Sequence, residues 1–339
     1  MITGCSTRVP LAVPSHTGSA QACAAPDAPD AVDDDYDGLS DACENAVAER
    51  FAPVVHHADD EPNLPVDVDA LLASTTLSFY DDGCSPDLQV RVKTAPTQRE
   101  LLGRGQTGGC GDKGTVSSSG SRSARKQRTF FLEDVPLAAR RGSADPHAWT
   151  TYTHVYASEH GGVTIQYWRV YAYNDGANQH GGDWEGLHVV LDARLQPVFI
   201  RLLGHSSMRE VPWDDLEVED GHVHVWSEPG GHATHASGAH GGVIRHETWT
   251  GGHAWFPDGR AARAARLLNV GEKEAPLNEQ LFIAYSGLWG SPGLLYMTSG
   301  YWGPAFNETN MRGKFVTAWC LGMTGARAER ECAPRDVTR

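Results

Sequence analysis

Two neighbouring stretches restrict this chain to sheet more strongly than anything else in it. Residues 163–173 include Gln166-Tyr167-Trp168-Arg169-Val170-Tyr171-Ala172-Tyr173, and residues 187–191 form a short apolar run. Aromatic and β-branched side chains lose rotamer freedom on a helix and pack well on a pleated surface. Between the two runs lies His180-Gly181-Gly182-Asp183-Trp184-Glu185. In an extended chain alternate side chains share a face, so Asp183 and Glu185 project together and Trp184 projects the other way. The two glycines let the backbone bend after His180, and Asp175 lies just upstream. One imidazole with two or three carboxylates suits a hard or borderline divalent cation, Ca2+ or Mg2+. Buried carboxylates need such partners. The expected ligands are Asp175, His180, Asp183 and Glu185, in a cleft rimmed by Trp184, His205 and His232. The competing reading is a solvated acidic strand end.

The rest of the chain agrees with a β protein. The 339 residues include 37 glycines, 19 prolines and 10 tryptophans, which favours short strands and turns over long helices. Further strands are expected at 198–203, 223–227 and 281–289, a strand after Phe51, a short helix starting at 65–67, and a helix at 260–268. The predicted fold is a two-sheet β-sandwich with short helices, preceded by an EF-hand-like calcium loop and helix. The expected division is a flexible leader over 1–30, the calcium loop and helix over 31–50, the sandwich over 51–320 and a tail over 321–339. Within the sandwich, the Gly/Ser-rich segment near 103–128 is expected to be a mobile loop.

The calcium loop is read from Asp33-Asp34-Asp35-Tyr36-Asp37-Gly38-Leu39-Ser40-Asp41-Ala42-Cys43-Glu44. Counted from Asp33, positions one, three, five, nine and twelve are acidic and position six is glycine, which is the EF-hand pattern. Asp33, Asp35, Asp37, Asp41 and Glu44 would supply carboxylates and Leu39 its carbonyl. A helix is expected over 41–51, with Ala42, Ala46, Val47 and Phe51 as its apolar face. The alternative is an acidic linker without an ion.

Seven cysteines are scattered with no Cys-x-x-Cys pair, which argues against a zinc ribbon and for disulfides and export. Proximity suggests Cys23 with Cys43, Cys84 with Cys110, and Cys320 with Cys332, one of fifteen pairings that six cysteines allow. Cys5 follows Ile2-Thr3-Gly4 and resembles a lipidated cysteine of a bacterial lipoprotein, with the basic and apolar regions of the signal peptide expected to be missing or truncated at this start. The alternative is a free thiol in a tail. An extracellular or cell-surface location is expected, with a lipid anchor at Cys5 as one reading. The formal charge of −15 argues against nucleic acid as partner, and no apolar run is long enough for a transmembrane segment.

The aromatic run and the His180–Glu185 segment resemble the vacuolar-protein-sorting 62-related family. Three further blocks agree in order: His205-Ser206; Val225-Trp226-Ser227 leading to Gly231-His232-Ala233; and Tyr285-Ser286-Gly287-Leu288-Trp289-Gly290 before Gly300-Tyr301-Trp302-Gly303. The hexapeptide is also similar to the core of the necrosis-inducing Nep-like cytolysins. That resemblance implies a β-sandwich with a divalent cation, His180, Asp183 and Glu185 as ligands, Asp175 as a looser fourth, and action on sphingolipid head groups. Gln179 and Gly181-Gly182 depart from the cytolysin motif, which puts toxin activity and lipid specificity in doubt.

These readings converge on an exported binding protein that grips a polar head group, glycan or membrane surface through a cation. A metal-dependent hydrolase using the same cleft, with His205 or His232 as general base, is the second reading. A scaffold in which the ions only stabilise the fold is the third.

Overall fold

The computed structural model describes residues 32–58, 61–81, 88–102, 104, 106–107, 128–158, 161–176, 179–203, 208–237, 239–241, 246–248, 266–291 and 303–306. Its centre is a seven-stranded sheet. Across it run the strands Met208–Pro212, Pro197–Leu203, His180–Asp192, Gly161–Asn174, Thr150–Ala157 and Arg266–Asn269, and Pro65–Val66 pairs with Gly161–Asn174. Neighbours are antiparallel except Arg266–Asn269, which lies parallel to residues 150–153.

The sheet is buried on both faces, which explains why its strands read as nearly continuous apolar runs. One face carries Val155, Ile165, Tyr167, Leu187, Val189 and Ile200, packed under the Asp41–Arg50 helix and the strands Val54–His56 and His222–Ser227. The other carries Tyr152, Tyr156, Trp168 and Trp184, covered by Leu77 and Leu132 of a four-stranded sheet and by Phe282, Tyr285 and Trp289. Each large apolar side chain buried this way is worth ~1.5–3 kcal/mol.

A polar row crosses the second face. His154 pairs in register with Gln166, Gln166 with His188 and His188 with Arg201. His154 Nε2 lies 3.0 Å from Glu272 Oε1 with both side chains fully buried, and Trp168 Nε1 donates to Gln166 Oε1 at 2.9 Å.

The mainly β architecture agrees with expectation, as do the strands near 54, 163, 198 and 223 and the existence of the first helix, here Asp41–Arg50, but that helix buries Cys43, Glu44, Val47 and Ala48 and leaves the expected face residues Ala42 and Ala46 exposed. Two elements differ. Residues 281–289 do not form a strand: Leu281–Ala284 is a 3-10 helix followed by turns. Phe282 and Ile283 are buried in succession, a pattern without alternation, and Asn278 and Glu279 enter it with left-handed backbones at φ 50° and 57°. The expected helix at 260–268 instead ends in the strand Arg266–Asn269, because the open edge of Thr150–Ala157 offers these residues a hydrogen-bonded partner. Residues 260–265, and nearly all of 103–128, lie outside the described residues.

Candidate functional site

The His180–Asp192 strand changes character along one face. Leu187, Val189 and Leu191 are core; Glu185 and Asp183 continue the same face toward its start. Arg169 and Tyr171 lie opposite them in register on Gly161–Asn174. The covering layer changes in step, from Val223 and Val225 to Ser227, His232 and Thr234. A hydrophobic interface thus opens into a buried polar cluster at the end of two strands.

His232 is the centre of that cluster and is fully buried. Its Nδ1 donates to Asp183 Oδ2 at 2.8 Å, and its Nε2 lies 3.4 Å from Glu61 Oε1. Asn174 Nδ2 donates to the same Asp183 oxygen at 3.0 Å and to the Gly231 carbonyl at 3.3 Å. Glu61 Oε1 also accepts from the Asn63 amide at 2.8 Å, and its other oxygen, Oε2, accepts from the Gly230 amide at 2.6 Å. Tyr171 closes one face of the imidazole. His232 adopts φ 59°, a left-handed backbone that costs a residue with a side chain about 1–2 kcal/mol. Such strain persists where surrounding contacts over-determine it.

The electrostatics follow from the charge count. Three buried carboxylates, Glu61, Asp183 and Glu185, share the cluster with two basic groups, His232 and Arg169. Burial alone would depress the His232 imidazole, but its bonds to Asp183 and Glu61 overcome this and push it up to about 10. Burial would raise Glu61, and the hydrogen bond and charge of His232, with the Gly230 and Asn63 amides, more than offset that and hold it below the ordinary carboxylate range. Glu185 is the surplus charge. Burial, and then the Asp183 charge beside it, hold its carboxyl well above the usual value despite His232 and Arg169.

Asp175 and Gly176 form an edge of this cluster against Gly230 and Gly231. The Asp175 amide donates to the Gly230 carbonyl at 2.8 Å, and a Cβ on Gly176 would come 3.2 Å from Gly231 Cα. Asp175 itself is exposed and accepts from Gln179 Nε2 at 2.7 Å.

Of the four expected cleft ligands, Asp183 and Glu185 are brought together. His180 is buried with Nδ1 3.2 Å from the Gly181 carbonyl. No three of Asp175, His180, Asp183 and Glu185 hold ligand atoms within 4.8 Å of one another. Trp184 is not a rim residue. It stacks on Phe282 at 5.3 Å and meets Trp289 edge-on at 5.0 Å in the core of the opposite face, because the pleat that gathers Asp183 and Glu185 sends it there. His232 is internal rather than at a rim. Its two ring nitrogens face the Asp183 and Glu61 carboxylates. His205 lies outside the described residues. Among the described residues, His222 and His224 do not gather with a third ligand: His222 Nδ1 faces the Ala52 carbonyl at 2.7 Å, and His224 Nδ1 faces His56 Nε2 at 3.0 Å.

Residues that sequence reading missed are Glu61, Arg169, Tyr171 and Asn174. Arg169 and Tyr171 stood in the aromatic run and Asn174 directly after it, but Glu61 was one acid in an acidic turn, with nothing local to tie it to His232.

The N-terminal acidic turn is compact. Asp33 accepts from the amides of Asp37 and Gly38, each at 3.1 Å, and Asp37 accepts from Leu39 at 2.6 Å. Two groups of three, Asp33–Asp35–Asp37 and Asp35–Asp41–Glu44, have ligand atoms within 4.8 Å of one another, and they are the groups of this kind among the described residues. Leu39 is buried in the core. Burial, and then the charges of Asp35 and Asp37, push the Glu44 carboxyl up to about 10. Cys43 is buried and disulfide-bonded. Cys5, Cys23, Cys84, Cys110, Cys320 and Cys332 lie outside the described residues, so the pairing stays an expectation. Among the described residues, no helix is long and apolar enough to cross a membrane.

No family model matches this chain, and nothing in that comparison supports the sorting-62-related resemblance. No curated protein matches it either. Solved structures that it resembles are Nep-like toxin-fold proteins. NLPPya in complex with glucosamine is 14% identical over 69% of this chain and 75% of its own, with a TM-score of 0.33. Necrosis and Ethylene inducing Protein 2, from the causal agent of cocoa's Witches Broom disease, is 16% identical over 70% and 100%, with a TM-score of 0.27. A structure described as a toxin fold for microbial attack and plant defense is 14% identical over 71% and 89%, with a TM-score of 0.32.

Proposed function

We propose that this chain is an exported β-sandwich binding protein that grips a glycan or polar head group through a divalent cation at Asp183 and Glu185. The observation that carries this reading is the surplus buried carboxylate. Asp183 and Glu185 lie on one buried face of the strand, and with Glu61 they make three buried carboxylates against the two basic groups His232 and Arg169, so one acid lacks a positive partner. A hard divalent cation fits this donor set, because it would neutralise Glu185 and Asp183 together. Asp183 and Glu185 would hold it, with Asp175 at the nearby edge.

The spread of the expected ligands supports a binding role. A cation held by few protein oxygens keeps coordination positions open, and sugar hydroxyls or a head-group oxygen can fill them. Bound there, the ion would supply the positive potential that an acidic protein lacks. His232, Asn174 and Glu61 orient Asp183 and hold the Gly230–Gly231 backbone against Asp175 and Gly176. The test is binding of the full chain to free glucosamine and to glycolipid vesicles, with chelator and with Ca2+ or Mg2+ restored. Cation-dependent binding that Glu185→Gln abolishes in folded protein supports the reading. Binding indifferent to chelator and to Glu185→Gln overturns it.

A further inference from the structure

The Asp41–Arg50 helix turns an acid inward. Val47, Ala48 and Phe51 pack into the core under the central sheet, as an amphipathic helix requires, and Glu44 lies among them fully buried. One of its oxygens, Oε2, accepts from Asn269 Nδ2 at 3.1 Å. The other, Oε1, is buried and meets no hydrogen-bond donor among the described residues. A buried carboxylate oxygen without a partner is costly, and the Glu44 carboxylate groups with Asp35 and Asp41, one oxygen of each within 4.8 Å of the others. Asp35 is itself buried and is the member shared with the Asp33–Asp35–Asp37 group, so the two groups adjoin at its carboxylate.

Asn269 is a rigid arm. Its Oδ1 accepts from the Gly271 amide at 3.1 Å, and its carbonyl accepts from Asn278 Nδ2 at 2.8 Å. It ends the strand Arg266–Asn269, the parallel edge strand of the central sheet. The acidic turn and the sheet edge, separated by 225 residues, therefore meet through one side-chain hydrogen bond on Glu44.

We propose that Asp33, Asp35, Asp37, Asp41 and Glu44 bind one calcium ion, and that the ion, through Glu44 and Asn269, fastens the Asp41–Arg50 helix to the Arg266–Asn269 edge strand. Five carboxylates with a backbone carbonyl offer an all-protein oxygen set of the size calcium takes, whereas magnesium dehydrates reluctantly and keeps several waters. The ion gives Glu44 Oε1 its missing partner and fixes the carboxylate that Asn269 reads. Loss of the ion frees Glu44 to move, and the strand loses its tie to the helix.

The experiment is calcium titration of the full chain by calorimetry, with magnesium as control, paired with hydrogen exchange of residues 41–50 and 266–269. Calcium is expected to bind and to slow exchange in both segments by at least about tenfold. Glu44→Gln is expected to abolish both effects, and Asp37→Asn, at a half-buried position, to weaken binding if Glu44→Gln does not fold. In Asn269→Ala, calcium still protects the helix but no longer the strand. Glu185→Gln leaves this response in place, so the cleft reading and this one fail separately. Absence of calcium binding in folded protein, binding unchanged in both ligand variants, or strand protection unchanged in Asn269→Ala overturns the proposal.

Discussion

The imidazole of His232 lies flat on the phenol ring of Tyr171, with centroids 3.8 Å apart and planes within 1°. An imidazole stacked on an electron-rich ring, hydrogen-bonded to Asp183 at Nδ1 and facing Glu61 at Nε2, is held against turning. That fixes the direction in which Asp183 is polarised. It also makes His232, rather than any residue of the His180–Glu185 segment, the structural keystone of the site.

His232 should remain protonated well above neutrality. Its folded value is raised to about 10 from 6.5, so the stability it contributes is fully present below about 6.5 and is lost as pH climbs through 10. Nitrogen NMR of the ring at pH 8 should show both nitrogens carrying hydrogen. His232→Ala leaves Glu61 and Asp183 buried without their cation and should cost about 3–5 kcal/mol in denaturant unfolding at pH 7.

Glu185→Gln should raise the stability of cation-free protein. The native carboxyl sits well above 4.5, so its ionisation works against the fold as pH rises through 4.5 toward the raised value. Glutamine mimics the neutral acid and removes that penalty. Urea midpoints of the two proteins should diverge from pH 5 to pH 9 in favour of the variant. The same variant should lose cation-dependent binding.

The two glycines of the motif should respond oppositely to alanine. Gly182 sits at φ 62°, and a Cβ there would fall 2.0 Å from the Trp289 carbonyl oxygen. Gly182→Ala should cost about 3 kcal/mol or more, read as a lowered melting temperature or loss of soluble protein. A Cβ on Gly181 would meet only Gly290 Cα, at 3.7 Å, so Gly181→Ala should change stability little.

His188 should limit acid tolerance. Burial, then Arg201 and His154, hold it well below 6.5, and neither ring nitrogen has a hydrogen-bond partner among the described residues. A depressed histidine gives stability above pH 6.5 that is lost as pH falls toward its folded value. Melting temperature should therefore drop from pH 7 to pH 5 in the native chain and drop less in His188→Leu.

The fold class was legible because the strands around Tyr167, Val189 and Ile200 are buried on both faces and carry continuous apolar character. The pairing of Asp183 with Glu185 was legible because a pleat has a period of two. The fate of Trp184 followed from the same period, yet the motif drew it toward the cleft. Glu61 was not legible, because its partner His232 lies far along the chain and no local pattern reports a contact made through space. The 281–289 segment failed as a strand for a related reason. An aromatic run buried on all sides has no periodicity, and only the fold shows whether it pairs or coils.

The parallel pairing of Val54 with His224, and of Arg266 with Thr150, has a kinetic consequence. Hairpins such as 161–174 with 180–192 can form locally and early. The strand after the first helix must wait for residues synthesised much later, and so must the sheet's far edge. Loop closure over such separations is paid for before any contact rewards it. The chain is therefore expected to fold slowly and late, with each apolar face only partly covered until the distant segments arrive.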